Sequence, residues 1–92
     1  MSVRLNELRE AIDQIDQEML KLFLKRMDVA KNIGIYKKKH QLKVLDEKRE
    51  SELLEKRRKQ LNQDDLWPLY KAFLKETMRL SKAYQKQCID LD

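Results

Sequence analysis

The sequence predicts an all-α fold of three helices, one long and two shorter, intertwined with a second copy as a helical homodimer. Three observations carry this expectation. Gly and Pro occur once each in 92 residues, whereas a β protein needs many tight turns built on such residues. Charged residues make up 40% of the chain against 41% hydrophobic, and the abundance of Leu, Lys, Glu, Gln and Arg favours long helices. Apolar residues then recur at helical spacing from Leu5 through Leu8, Ile12, Ile15, Met19 and Leu22 to Val29, Ile33 and Tyr36, which marks one side of a continuous helix.

The first helix is expected from about Val3 to about Lys39, with Ser2 and Asn6 as candidate caps. Gly34 lies inside it, at a cost of about 1 kcal/mol relative to Ala. It marks either a close approach by another group or the point where the helix frays. A helix of about 35 residues spans roughly 50 Å, and the other two segments are too short to cover it. Its apolar stripe therefore calls for a second chain, most simply a copy across a two-fold axis.

His40–Leu45 reads as the following loop, with His40 a solvated loop residue. The second helix is expected from about Asp46 to Leu61, where Asp46 is the N-cap and Glu47 and Glu50 complement the helix dipole. Asn62–Asp65 forms a short connection. The third helix should begin near Asp64 or Asp65, with Pro68 in its first turn, and run to about Gln87. Leu66, Tyr70, Phe73, Thr77, Leu80 and Tyr84 form one stripe on it; Leu74, Met78, Ser81 and Gln85 form the adjoining one. Residues 1–92 thus make a single domain.

The net charge of +5 comes from 21 basic and 16 acidic residues. Such an excess attracts nucleic acid, acidic membranes or small anions. Cys88 is the only cysteine, so no intrachain disulfide forms, and its position on a helix face suits a small apolar filler. There is no secretory h-region, no run of membrane-spanning length and no Cys/His/carboxylate spacing for zinc. A cytoplasmic protein without metal or cofactor is the expectation.

The polar residues on the apolar faces are the informative ones. Arg26 and Lys37 sit on or beside the seam of the first helix, eleven positions apart and facing the same way, with Ala30 and Ile33 between. A cation on such a face is costly unless an anion meets it, and no acidic residue shares that seam. Arg9 is about 25 Å from Arg26 and points to another side, so an antiparallel partner chain would have to deliver it. On the second helix, Asp46, Arg49 and Glu50 share a side with Leu53. An exposed, capped first turn would look the same. On the third, Ser81 and Gln85 are one turn apart in line with Leu74 and Met78, a pattern that a partly exposed polar edge would also give. Together the three helices describe a water-poor pocket with several cations, an amide, a hydroxyl and two carboxylates, suited to a small dianion that carries a hydroxyl.

These residues give the chain a resemblance to a known family. The matching text is Leu8-Arg9, Ile12-Asp13-Gln14-Ile15-Asp16, Arg26, Ile33-Gly34-Ile35-Tyr36-Lys37, Val44 through Glu50, and Ser81 through Gln85. In order and spacing it resembles the all-α chorismate mutases of the AroQ class over nearly the whole chain. The resemblance implies an intertwined dimer of three-helix chains acting in the shikimate pathway of aromatic amino acid biosynthesis. It also implies a cofactor-free [3,3] rearrangement of chorismate to prephenate, achieved by selecting the reactive conformer and stabilising charge on the breaking ether oxygen. By that pattern Lys37 and Gln85 are the donors to the ether oxygen. Arg26 and the partner chain's copy of Arg9 hold the substrate carboxylates with help from Ser81. Glu50, with Asp46, takes the ring hydroxyl, and Arg49 lines the pocket and orients Glu50. A register one turn away on the third helix would bring Lys82 to the site instead.

Two other readings compete. Isochorismate pyruvate lyases share the fold and the basic pocket, but lack the paired acids represented here by Asp46 and Glu50. A non-catalytic mutase-like module would serve another shikimate-pathway enzyme as a fused or separate partner. A chain that starts at Met1 and ends soon after the third helix is expected to act free-standing. Nucleic-acid binding would place the cations on an exposed face, whereas Arg26 and Lys37 lie on the seam; neither nucleic acid nor membrane is expected as a partner.

Overall fold

A computed structural model describes residues 3–90. It contains helices α1 (Val3–Lys39), α2 (Glu47–Leu61) and α3 (Trp67–Asp90), with no strand among the described residues. α1 does not break at Gly34, and Asn6 lies within it rather than at its cap, because the helix already runs at Val3. Ser2, the other candidate cap, lies outside the described residues. No helix among them is long and apolar enough to cross a membrane.

The two connections are short because their ends are well terminated. α1 closes with the His40 N–H on the Tyr36 carbonyl (3.0 Å) and Gln41 in the left-handed region at φ 59°. Asp46 caps α2: its side chain accepts from the Arg49 N–H at 3.0 Å, satisfying one of the orphan donors of a helix start. At the other end Asn62 is left-handed (φ 50°) and donates its N–H to the Arg58 carbonyl at 3.1 Å. α3 starts later than Asp64 or Asp65 because residues 64–66 form a turn in which the Leu66 and Trp67 N–H groups both bond the Gln63 carbonyl. Pro68 still falls in the first turn. The helix also runs beyond Gln87, to Asp90, and the Lys38 ammonium donates to the Ile89 carbonyl (3.2 Å) in that last turn.

α3 is the hub, packing on both α1 and α2, while α1 and α2 make no close backbone approach to each other. The buried residues of α3 are Leu74, Met78, Ser81, Gln85 and Cys88, alternating three and four apart so that they form one face. Opposite them α1 offers small residues, Ala30 and Gly34, as its buried positions. The packed face of α1 is thus offset from the large apolar stripe: Val29, Ile33 and Tyr36 stay exposed in the single chain. The physical reason is distance of approach, since two helix axes come close only where side chains are small. The other α3 stripe is more open, with Phe73 52% and Leu80 37% exposed.

The molecule measures 56 × 30 × 15 Å. All of α1 from residue 3 to residue 26 is exposed, including Leu5, Leu8, Ile12, Ile15, Met19 and Leu22.

Candidate active site

Because α3 holds α1 and α2 apart, the three helices enclose a cavity of about 480 Å³. Arg26, Ala30, Ile33 and Lys37 line it from α1; Asp46, Arg49, Glu50 and Leu53 from the start of α2; Met78, Ser81, Lys82 and Gln85 from α3. Seven of the eight residues singled out above therefore share one cavity. Arg9 is the exception: it lies on the exposed arm of α1 and is absent from the cavity wall, seventeen residues or about 25 Å along the helix from Arg26.

Several of the polar side chains are held by specific partners. The Arg26 guanidinium donates to the Ser81 hydroxyl, which locks an exposed arginine onto a buried serine and links α1 to α3 inside the cavity. The Lys37 ammonium donates to the Val44 carbonyl at 2.7 Å. An ammonium has three donors, so one anchors Lys37 to the connecting loop and two remain for a ligand. Asp46 uses one oxygen to cap α2, and its backbone carbonyl accepts from the Glu50 N–H at 3.0 Å. The Glu50 carboxylate accepts from the Lys82 ammonium at 2.9 and 3.2 Å. The Arg49 guanidinium lines the wall without a protein carboxylate, so the ion-pair partner of Glu50 is Lys82 rather than Arg49.

Gln85 is the most enclosed of these groups, 6% exposed, and its side-chain oxygen is buried without a hydrogen-bond partner. Such an orphan is costly in a finished core. A half-turn about χ3 exchanges its oxygen and its NH2, so the amide offers a bound molecule either an acceptor or a donor. Gly34 explains how Gln85 gets there. A Cβ at Gly34 would lie 3.1 Å from the Gln85 Cβ and 3.2 Å from its Cα and Cγ, so the glycine is a close-approach residue and not a frayed end. Gly34→Ala should gain helix propensity worth about 1 kcal/mol yet force α1 and α3 apart by tenths of an ångström. We expect kcat to fall at least about 10-fold without the rise of about 4–8 °C in Tm that such a gain would otherwise bring. A melting curve with steady-state kinetics checks this; a more stable variant with unchanged kcat would refute it.

Residues 8–86 match the family model for chorismate mutase type II. The chain belongs to the type II chorismate mutase family. The chain is 32% identical over 84 residues to the T-protein of Haemophilus influenzae, covering 90% of this chain and 22% of that one. It is 46% identical over 52 residues to the bifunctional chorismate mutase/prephenate dehydratase of Aquifex aeolicus, covering 56% of this chain and 14% of that one. The chain thus spans between a seventh and a quarter of these relatives' lengths. No solved structure matches it.

The cavity of this chorismate mutase family member also contains a residue that the expected register kept out of it. Lys82 was the alternative to Ser81 and Gln85 under a shifted register; the helix brings all three to the cavity. Ser81 and Gln85 turn toward α1, while Lys82 lies about 100° around the helix and reaches α2 through Glu50. Its spacing of four from Met78 and three from Gln85 was the available signal, since both of those lie on the packed face.

Proposed function

We propose that the chain is a chorismate mutase, converting chorismate to prephenate with no cofactor. The observation that carries this reading is the charge and shape of the cavity. Four cations against two carboxylates line a space of about 480 Å³, leaving an excess of two positive charges. Chorismate is a dianion with one ring hydroxyl, so a net positive wall favours its two carboxylates, and the acidic groups remain to accept the hydroxyl.

The reaction needs no nucleophile or proton transfer. It requires the extended substrate to be held in a compact chair and the negative charge growing on the ether oxygen to be met by donors. In this reading Arg26, steadied by Ser81, grips one carboxylate. Lys37, with two donors left beyond its loop anchor, and Gln85 face the ether oxygen. Asp46 and Glu50 at the start of α2 accept the hydroxyl, and Arg49 adds positive charge beside them. The paired acids favour the mutase over isochorismate pyruvate lysis.

The second carboxylate falls to Arg9 of a partner copy in an intertwined homodimer. What supports this is the bare arm of α1, together with a small core: among the described residues the buried hydrophobic ones are Ala30, Leu74, Met78 and Cys88. A chain this short buries too little surface for comfort, and a second copy would cover the apolar stripe.

The test is direct. Purified protein should consume chorismate, followed by its absorbance, with prephenate as the product by chromatography. Pyruvate release from isochorismate with no prephenate from chorismate would make it a lyase; neither reaction would leave a binding module.

A further inference from the structure

We propose that Lys82 is a positioning residue, whose ammonium holds the Glu50 carboxylate in the cavity wall to receive the substrate hydroxyl. This rests on the mutase reading and adds to it a residue that the family pattern above leaves without a role.

Four observations carry it. First, the Lys82–Glu50 pair is the only ion pair between helices among the described residues; the others join residues three or four apart on one helix. Those local pairs are at least half exposed, whereas Lys82 and Glu50 side chains are 27% and 26% exposed. Second, Lys82 alone among the four cavity cations meets a protein carboxylate. Arg26 meets a hydroxyl, Lys37 a carbonyl, and the Arg49 guanidinium neither. A cation already neutralised by a carboxylate is poorly placed to grip a substrate carboxylate, so Lys82 divides from the other three in task. Third, Glu50 lies one turn from Asp46 on the same wall. Like charges at that spacing repel, which pushes Glu50 outward unless a cation draws it back. Fourth, the ammonium spans both Glu50 oxygens, at 2.9 and 3.2 Å. Each carboxylate oxygen has two lone-pair sites, so one on each remains for a hydroxyl once the carboxylate is fixed.

A double-mutant cycle separates positioning from direct substrate contact. Lys82→Met, which keeps the apolar stem, should lower kcat/KM for chorismate about 10-fold, the scale of one partly exposed charge-assisted contact. In a Glu50→Gln background the same change should cost less than about 2-fold, because there is no carboxylate left to position. Circular dichroism and melting check that each variant is folded, and Lys82→Gln serves the same cycle should Lys82→Met fail to fold. Losses that multiply across the cycle would mean that Lys82 touches the substrate itself and would overturn the proposal, as would unchanged kinetics in the single variant. Either result leaves the mutase reading intact. Absence of chorismate turnover by the unsubstituted chain would overturn both.

Discussion

Replacing Lys37 with Ala is expected to lower kcat by at least about 100-fold, the scale for losing one aimed electrostatic donor, and Gln85→Ala to do the same. Neither residue can be replaced by water in an equivalent place. The Lys37 ammonium is fixed by the Val44 carbonyl at 2.7 Å, and Gln85 is 6% exposed, with Gly34 against its stem. Preorganisation of this kind means that little reorganisation accompanies charge development on the ether oxygen. The losses should fall on kcat more than on KM, since the charge they meet grows only in the transition state. Gln85→Glu sharpens the test. An amide donates at any pH, whereas a carboxyl donates only while protonated, around or below pH 4.3 for an ordinary Glu. The rate of that variant should fall as pH rises, where the parent stays active through neutrality. Near-normal turnover by Lys37→Ala or Gln85→Ala at pH 7 would remove these residues from the chemistry.

Mixing two inactive variants should restore activity if Arg9 crosses between chains. Arg9→Ala spoils both sites of a dimer, and Arg26→Ala does likewise. In a dimer with one chain of each kind, one site receives Arg26 and Arg9 from the two undamaged positions, while the other loses both. Random pairing makes half of the dimers mixed with one good site in two, so about a quarter of the parent activity returns. Co-refolding of equal amounts followed by a chorismate assay measures it. Arg9 and Arg26 in the same cavity of one chain would give no recovery, and their separation along α1, about 25 Å, makes that arrangement unattainable within a single straight helix. Sedimentation of the parent as a stable monomer at micromolar concentration would sink the shared site altogether.

The elements themselves were legible from local chemistry. The apolar period of α1, the Asp46 cap and the scarcity of Gly and Pro specify helices whose ends depend on nearby groups: Asp46 on the Arg49 N–H, and Asn62 on the Arg58 carbonyl. Both ends of α3 departed from expectation, and its start turned on two N–H groups sharing the Gln63 carbonyl, a choice between turn and helix that propensity barely separates. Much of the cavity was legible too, because a cation such as Arg26 or Lys37 placed among apolar residues is a local anomaly with few explanations. The tertiary structure alone decided three things. It decided which face of α1 packs, choosing Ala30 and Gly34 over the larger Val29 and Ile33, because closeness of approach is a property of two helices together. It decided what Gly34 is for, since a glycine reads the same in a sequence whether it frays a helix or admits Gln85. And it decided that Glu50 is met by Lys82, thirty-two residues away. Periodicity assigns a residue to a face of its own helix; which side chain stands opposite depends on how far that helix is turned, and only packing sets the angle.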